Sequence, residues 1–203
     1  MADETQAAAQ APAASATAEV SLQLDTILTA EFEYISQAVF QSNEDRARVT
    51  SFYLITTGTL VAAILGSQVE SLKDPETYRG FAVLFLILSL SSLLTLLQLI
   101  RLRQAWFDGA AALNDIKAFY IEQFPQAQKA FRWGITTVPK KFKPWSISFL
   151  LALQVALLGG ISLGGAVIFI GLTTNFLWWG AAIILGIIYI VAEMLLYWYM
   201  LRR

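Results

Sequence analysis

Residues 80–100, GFAVLFLILSLSSLLTLLQLI, run for 21 positions without one charged side chain. A helix on the surface of a water-soluble bundle needs a polar face, and this stretch offers none. Its length matches the roughly 20 residues that carry a helix across a bilayer core, where lipid gives the backbone no hydrogen-bond partner. Three more stretches qualify: residues 51–68, the weakest because it holds three threonines, residues 145–171 and residues 176–201. The last two are long enough to tilt. Composition agrees, since only 14% of the 203 residues are charged, against about 25% in a typical soluble domain. The expected fold class is an all-α membrane protein with four transmembrane helices.

Lys and Arg set the expected orientation. Residues 101–144 carry eight of the 14 basic residues, Arg46 and Arg48 precede the first span, and Arg202 and Arg203 end the chain. Only Lys73 and Arg79 fall on the other side, in the loop between spans one and two. The positive-inside rule then places both termini in the cytoplasm. Trp178 and Trp179 mark the outer end of the fourth span, and Trp145 and Tyr197–Tyr199 the inner surface, as interfacial aromatic residues do. Residues 1–20 are Ala-rich and acidic, with neither the basic start nor the apolar middle of an export signal, and read as a disordered tail. With no transit peptide either, a bacterial inner membrane is the default location.

Two amphipathic stretches flank the first pair of spans. Leu28, Phe32, Ile35 and Val39 recur at helical spacing within residues 21–50, and the series continues through Ser42, Arg46 and Val49 into span one. Beyond span two, Leu102, Trp106, Ala110, Leu113, Ile116 and Tyr120 share a face until Pro125 stops the helix. Each extension measures roughly 35–40 Å as a helix. Both leave the membrane on one side with an apolar stripe to bury, so the economical expectation is an antiparallel cytoplasmic hairpin extending spans one and two. Glu44 and Arg48 form an i,i+4 pair of favourable polarity.

The chemistry available is narrow. The chain has no cysteine and no histidine, which removes thiolate nucleophiles, disulfides, cysteine metal sites and the usual proton shuttle. Net charge is −1, so no global field favours nucleic acid. No phosphate-binding loop, dinucleotide fingerprint or nucleophile elbow occurs. Asp108, Asp115 and Glu122 share one helix flank and read as solvated charge. No catalytic residue, cofactor or metal is expected.

Inside the spans the polar candidates are few. Glu193 is the one carboxylate, and Gln154 lies at similar depth in the adjoining span. A protonated Glu193 donating to the Gln154 amide satisfies both, as an interhelical clamp. Ser91, Thr95 and Gln98 make a polar stripe in span two that packs against a neighbouring helix or lines a water path in an oligomer. Gly58, Ala62 and Gly66 in span one, and Gly160 and Gly164 in span three, give small-residue spacing that admits close helix approach. Lys140, Lys141 and Lys143 sit between Pro139 and Pro144 before span three, facing lipid headgroups.

The chain therefore reads as a non-catalytic integral membrane protein. Its cytoplasmic hairpin is the interaction or assembly module, and four spans anchor it. The expected partners are the bilayer and either further copies of itself or a cytoplasmic protein. The alternative is an oligomeric pore gated by the cytoplasmic helices. Absence of an internal repeat and of proline-broken spans argues against a carrier.

Overall fold

The computed structural model describes residues 4–66, 74–129, 131, 140–174 and 178–202, with side chains from residue 24 onward except 65 and 127. Lys73, Arg132, Pro139, residues 175–177 and Arg203 lie outside the described residues. The described chain forms four long helices: α1 (Glu4–Gly66), α2 (Pro75–Gln123), α3 (Ile147–Thr173) and α4 (Trp179–Arg202), with a 3₁₀ turn at Pro125–Lys129. No strand occurs among the described residues. Each of the four helices contains a window long and apolar enough to cross a membrane.

The helix ends follow from local chemistry. Asp74 precedes Pro75, and its Oδ1 accepts from the Glu76 N–H at 3.4 Å, so a carboxylate and an N1 proline start α2. Pro125 ends it, as the sequence predicts. Ser146 caps α3, its Oγ accepting from the Phe149 N–H at 3.3 Å. Trp145 reaches that turn through a left-handed backbone, with φ 61°, a conformation bulky residues rarely adopt. At the front of the chain, α1 begins at Glu4, within the stretch read from composition as a disordered tail. Alanine has the highest helix propensity of any residue, and it dominates that stretch.

The chain divides into two compact units: Met1–Phe40 with Asp108–Val138, and Gln41–Phe107 with Pro139–Arg203. In the first, Ile35 and Val39 of α1 lie over Gly109 of α2. The Tyr120 hydroxyl of α2 donates to Asp25 Oδ1 at 3.4 Å.

The second unit holds the four apolar segments. Its core is Tyr53, Leu96, Leu99, Ile100, Ala152, Val155, Tyr197 and Leu201, one or more from each helix. Phe142, Phe149 and Tyr197 close one end, with ring centroids 6.2–6.4 Å apart in edge-on contacts. Phe81 and Phe85 of α2 meet Phe169 of α3 at the other, at 5.2 and 5.6 Å. Helices α3 and α4 touch through glycine. Gly160 faces the Gly186 carbonyl and Gly164 the Ala182 carbonyl, so backbone lies against backbone.

Polarity in this unit is arranged inside out. Leu90 and Ile184 are 57% and 59% exposed, whereas Ser92 and Glu193 are 0% and 2% exposed. Water would favour the reverse, and a hydrocarbon solvent favours what is seen. The fold is that of a multi-pass membrane protein.

Candidate functional site

Two polar constellations stand out in the second unit, one among the spans and one at the start of α3.

The first centres on Glu193. Its Oε1 accepts a 2.7 Å hydrogen bond from Ser92 Oγ of α2. Tyr189, one turn earlier on α4, donates to the Ser89 carbonyl at 2.6 Å and lies 3.4 Å from Ser92 Oγ. Gly159 makes this possible: a Cβ there would lie 2.6 Å from Ser92 Cβ. The missing side chain admits the serine between α3 and α4. Tyr53 of α1 lies within electrostatic reach of Glu193 and Tyr189. Tyr53 OH, Thr57 Oγ1 and Glu193 Oε2 are buried and make no hydrogen bond of normal geometry among the described residues. Hydroxyls and one carboxyl group from α1, α2 and α4 thus converge in a low-dielectric interior, where each bond made holds helices together and each unmade one is costly.

The interhelical clamp exists, but with a different partner from the one expected. Gln154 is exposed and does not meet Glu193. Span depth alone placed the two at one level, while helix rotation turned Gln154 away. The span-two stripe is also split. Thr95 is buried, Ser91 half-buried and Gln98 exposed, so the three do not line one surface. Ser92 carries the contact instead. Its signal was the Ser91–Ser92 pair, in which the two hydroxyls necessarily point to different faces. Tyr189, at i−4 to Glu193, was likewise readable as a face-sharing neighbour.

The small-residue series separate in the same way. Gly160 and Gly164 pack within the chain on α4. Gly58 and Gly66 have nothing within 4 Å of an added Cβ, and Ala62 is exposed. At the surface, Arg48 pairs with Asp45 at 3.5 Å rather than with Glu44. That pair is largely exposed and contributes little. No cluster of three or more potential metal ligands occurs among the described residues.

The second constellation gathers basic side chains around an open cavity of about 530 Å³. Arg46 of α1 and Arg103 of α2 are both buried. Arg46 donates to Ser148 Oγ and Asn43 Oδ1. Arg103 donates to the carbonyls of Lys141 and Lys140 at 3.3 and 3.5 Å, and its guanidinium lies 4.6 Å from the Trp106 ring centroid. Burial lowers the Arg46 pKa from its ordinary value, and the nearby Arg103 charge lowers it further. Lys143 lines the cavity. Lys140 and Lys141 meet Arg103 through their backbone carbonyls, and the Lys141 ammonium sits 5.2 Å from the Phe107 ring centroid. The basic segment therefore contributes Lys143 to the cavity lining and two carbonyls to Arg103, while Lys140 and Lys143 are exposed. The arginines were legible as positions, since Arg46 falls in the buried-face series of α1, but their convergence was not.

No protein-family model, curated protein or solved structure matches the chain.

Proposed function

We propose that this protein is a non-catalytic membrane anchor for a cytoplasmic helical assembly module. Hydrocarbon-facing residues hold the second unit in the bilayer, and the Glu193–Ser92 clamp fixes the order of its helices. The first unit is the module. Its reading as an antiparallel hairpin is supported by Ile35 and Val39 meeting Gly109 while Asp25 meets Tyr120, since the chain order runs oppositely on the two helices. The positive-inside bias supports a cytoplasmic placement.

The observation that carries the reading is the apolar surface this unit leaves uncovered. Ile27 and Tyr34 of α1 are 65% and 69% exposed, and Phe124 beyond α2 is 62% exposed. Ile27 and Tyr34 stand one heptad apart on one face, the spacing by which a helix presents anchors to another helix. Exposed apolar groups of this size in an aqueous segment mark association surfaces. Gln154, exposed within span three, supports self-association, because an amide facing lipid gains a hydrogen bond when a second copy covers it.

The absence of native cysteine makes the test clean. Tyr34→Cys and Ile27→Cys, each in the otherwise cysteine-free chain, are expected to give a crosslinked species in native membranes, and Tyr34→Asp to abolish assembly without loss of insertion. The reading fails if neither position crosslinks, to itself or to another protein, while purified protein in liposomes passes ions. That result would assign the chain to the pore class.

A further inference from the structure

We propose that the cavity between α1, α2 and the start of α3 is a binding site for a phosphate group, of the kind carried by an anionic lipid headgroup or by a soluble phosphate compound. Arg46 and Arg103 are only 8% and 7% exposed. Buried charge is tolerated when it is paired, yet among the described residues neither guanidinium has a carboxylate within 4 Å. Their partners are neutral: a hydroxyl, a side-chain amide oxygen and two backbone carbonyls. The two cations also repel one another. What this arrangement lacks is negative charge.

The cavity supplies the place for it. Lys143 also lines it, and Ile147 and Ser148 on its wall belong to the first turn of α3, whose backbone dipole favours an anion. Arginine presents a planar fork that matches phosphate oxygens bidentately. The remaining walls are Trp106, Ala47 and Leu151, which suit the apolar part of a molecule whose charged end is held. A volume of about 530 Å³ lies within the range of small-molecule sites. A topology anchor would need only exposed lysines, as at Lys140. Burying two arginines at one cavity goes beyond that requirement. The inference does not depend on what the first unit binds.

The test uses the full chain in an uncharged detergent, with thermal stability and native mass spectrometry as readouts. Dioctanoyl phosphatidylglycerol, dioctanoyl phosphatidylcholine and inorganic phosphate are added separately at matched ionic strength. The anionic lipid is expected to stabilise the protein and remain bound, the zwitterionic lipid to do neither. Arg46→Gln and Arg103→Gln, which remove the charge but keep donors, are expected to weaken anionic-lipid binding about tenfold or more, and Arg79→Gln to leave it unchanged. Stabilisation by the lipid alone identifies a headgroup site. Equal stabilisation by inorganic phosphate, lost in the same variants, identifies a soluble phosphate compound. If either Gln variant fails to fold, Arg46→Lys and Arg103→Lys are measured instead and are expected to retain weakened binding. Equal response of the wild type to anionic and zwitterionic lipid with none to phosphate, or binding unaffected by the arginine substitutions, overturns the proposal.

Discussion

Replacing Gly160 by alanine isolates the contact that joins α3 to α4. An alanine Cβ there would lie 2.6 Å from the Gly186 carbonyl oxygen and 2.8 Å from Ile190 Cδ1, while ordinary contact begins at 3.4 Å. Ile190 has rotamers to move into, but the carbonyl is backbone and moves only with its helix. The helices must therefore part by about 0.8 Å at their crossing, and a gap of that size forfeits a quarter to a half of the dispersion well for the atoms facing it. Overpacking of this kind costs about 1–3 kcal/mol, offset by up to about 1 kcal/mol because alanine favours the helix over glycine. With the full offset the expected net loss is about 0–2 kcal/mol, against a net gain at a position with open space. Gly58→Ala supplies the comparison. Nothing lies within 4 Å of a Cβ at that position, so only the propensity gain of up to about 1 kcal/mol applies. Equilibrium unfolding in mixed micelles, followed by tryptophan fluorescence, measures both. Gly160→Ala as stable as Gly58→Ala would refute the packing argument. A destabilised Gly58→Ala would show instead that span one is covered by another helix in the folded protein.

Two further outcomes follow from the geometry and one from the distribution of charge. A double-mutant cycle of Ser92→Ala with Glu193→Leu, read by the same unfolding assay, should return a coupling of about 0.6 kcal/mol, the average for hydrogen bonds between membrane helices, and no more than about 1.7, whereas Gln154→Ala with Glu193→Leu should return none. Gly109→Leu should loosen the first unit, because even a Cβ would stand 2.6 Å from Val39 Cγ2, and limited proteolysis should then cut α1 before residue 40 faster than in the wild type. A tag on the carboxyl end should be labelled only after permeabilisation of cells, and labelling of intact cells would reverse the orientation argued from Lys and Arg.

Much of the architecture was written in local chemistry. The uncharged run at 80–100 and its three companions dictated membrane-crossing helices, because a bilayer accepts long apolar segments only when each satisfies its own backbone. Pro125 and the Gly160–Gly164 spacing likewise announced a helix end and a close approach, both properties of a few consecutive residues. The interior sites were different. Depth along a span is counted from sequence, but the rotation of one helix against the next is set by packing across the whole contact, and that rotation chose Ser92 over Gln154 as the partner of Glu193. The same holds at the start of α3, where Arg46, Arg103 and Ser148 stand on three helices far apart in the chain. Their meeting depends on how α1, α2 and α3 pack, a property of side-chain shapes taken together, so only the tertiary structure could bring two buried arginines to one cavity.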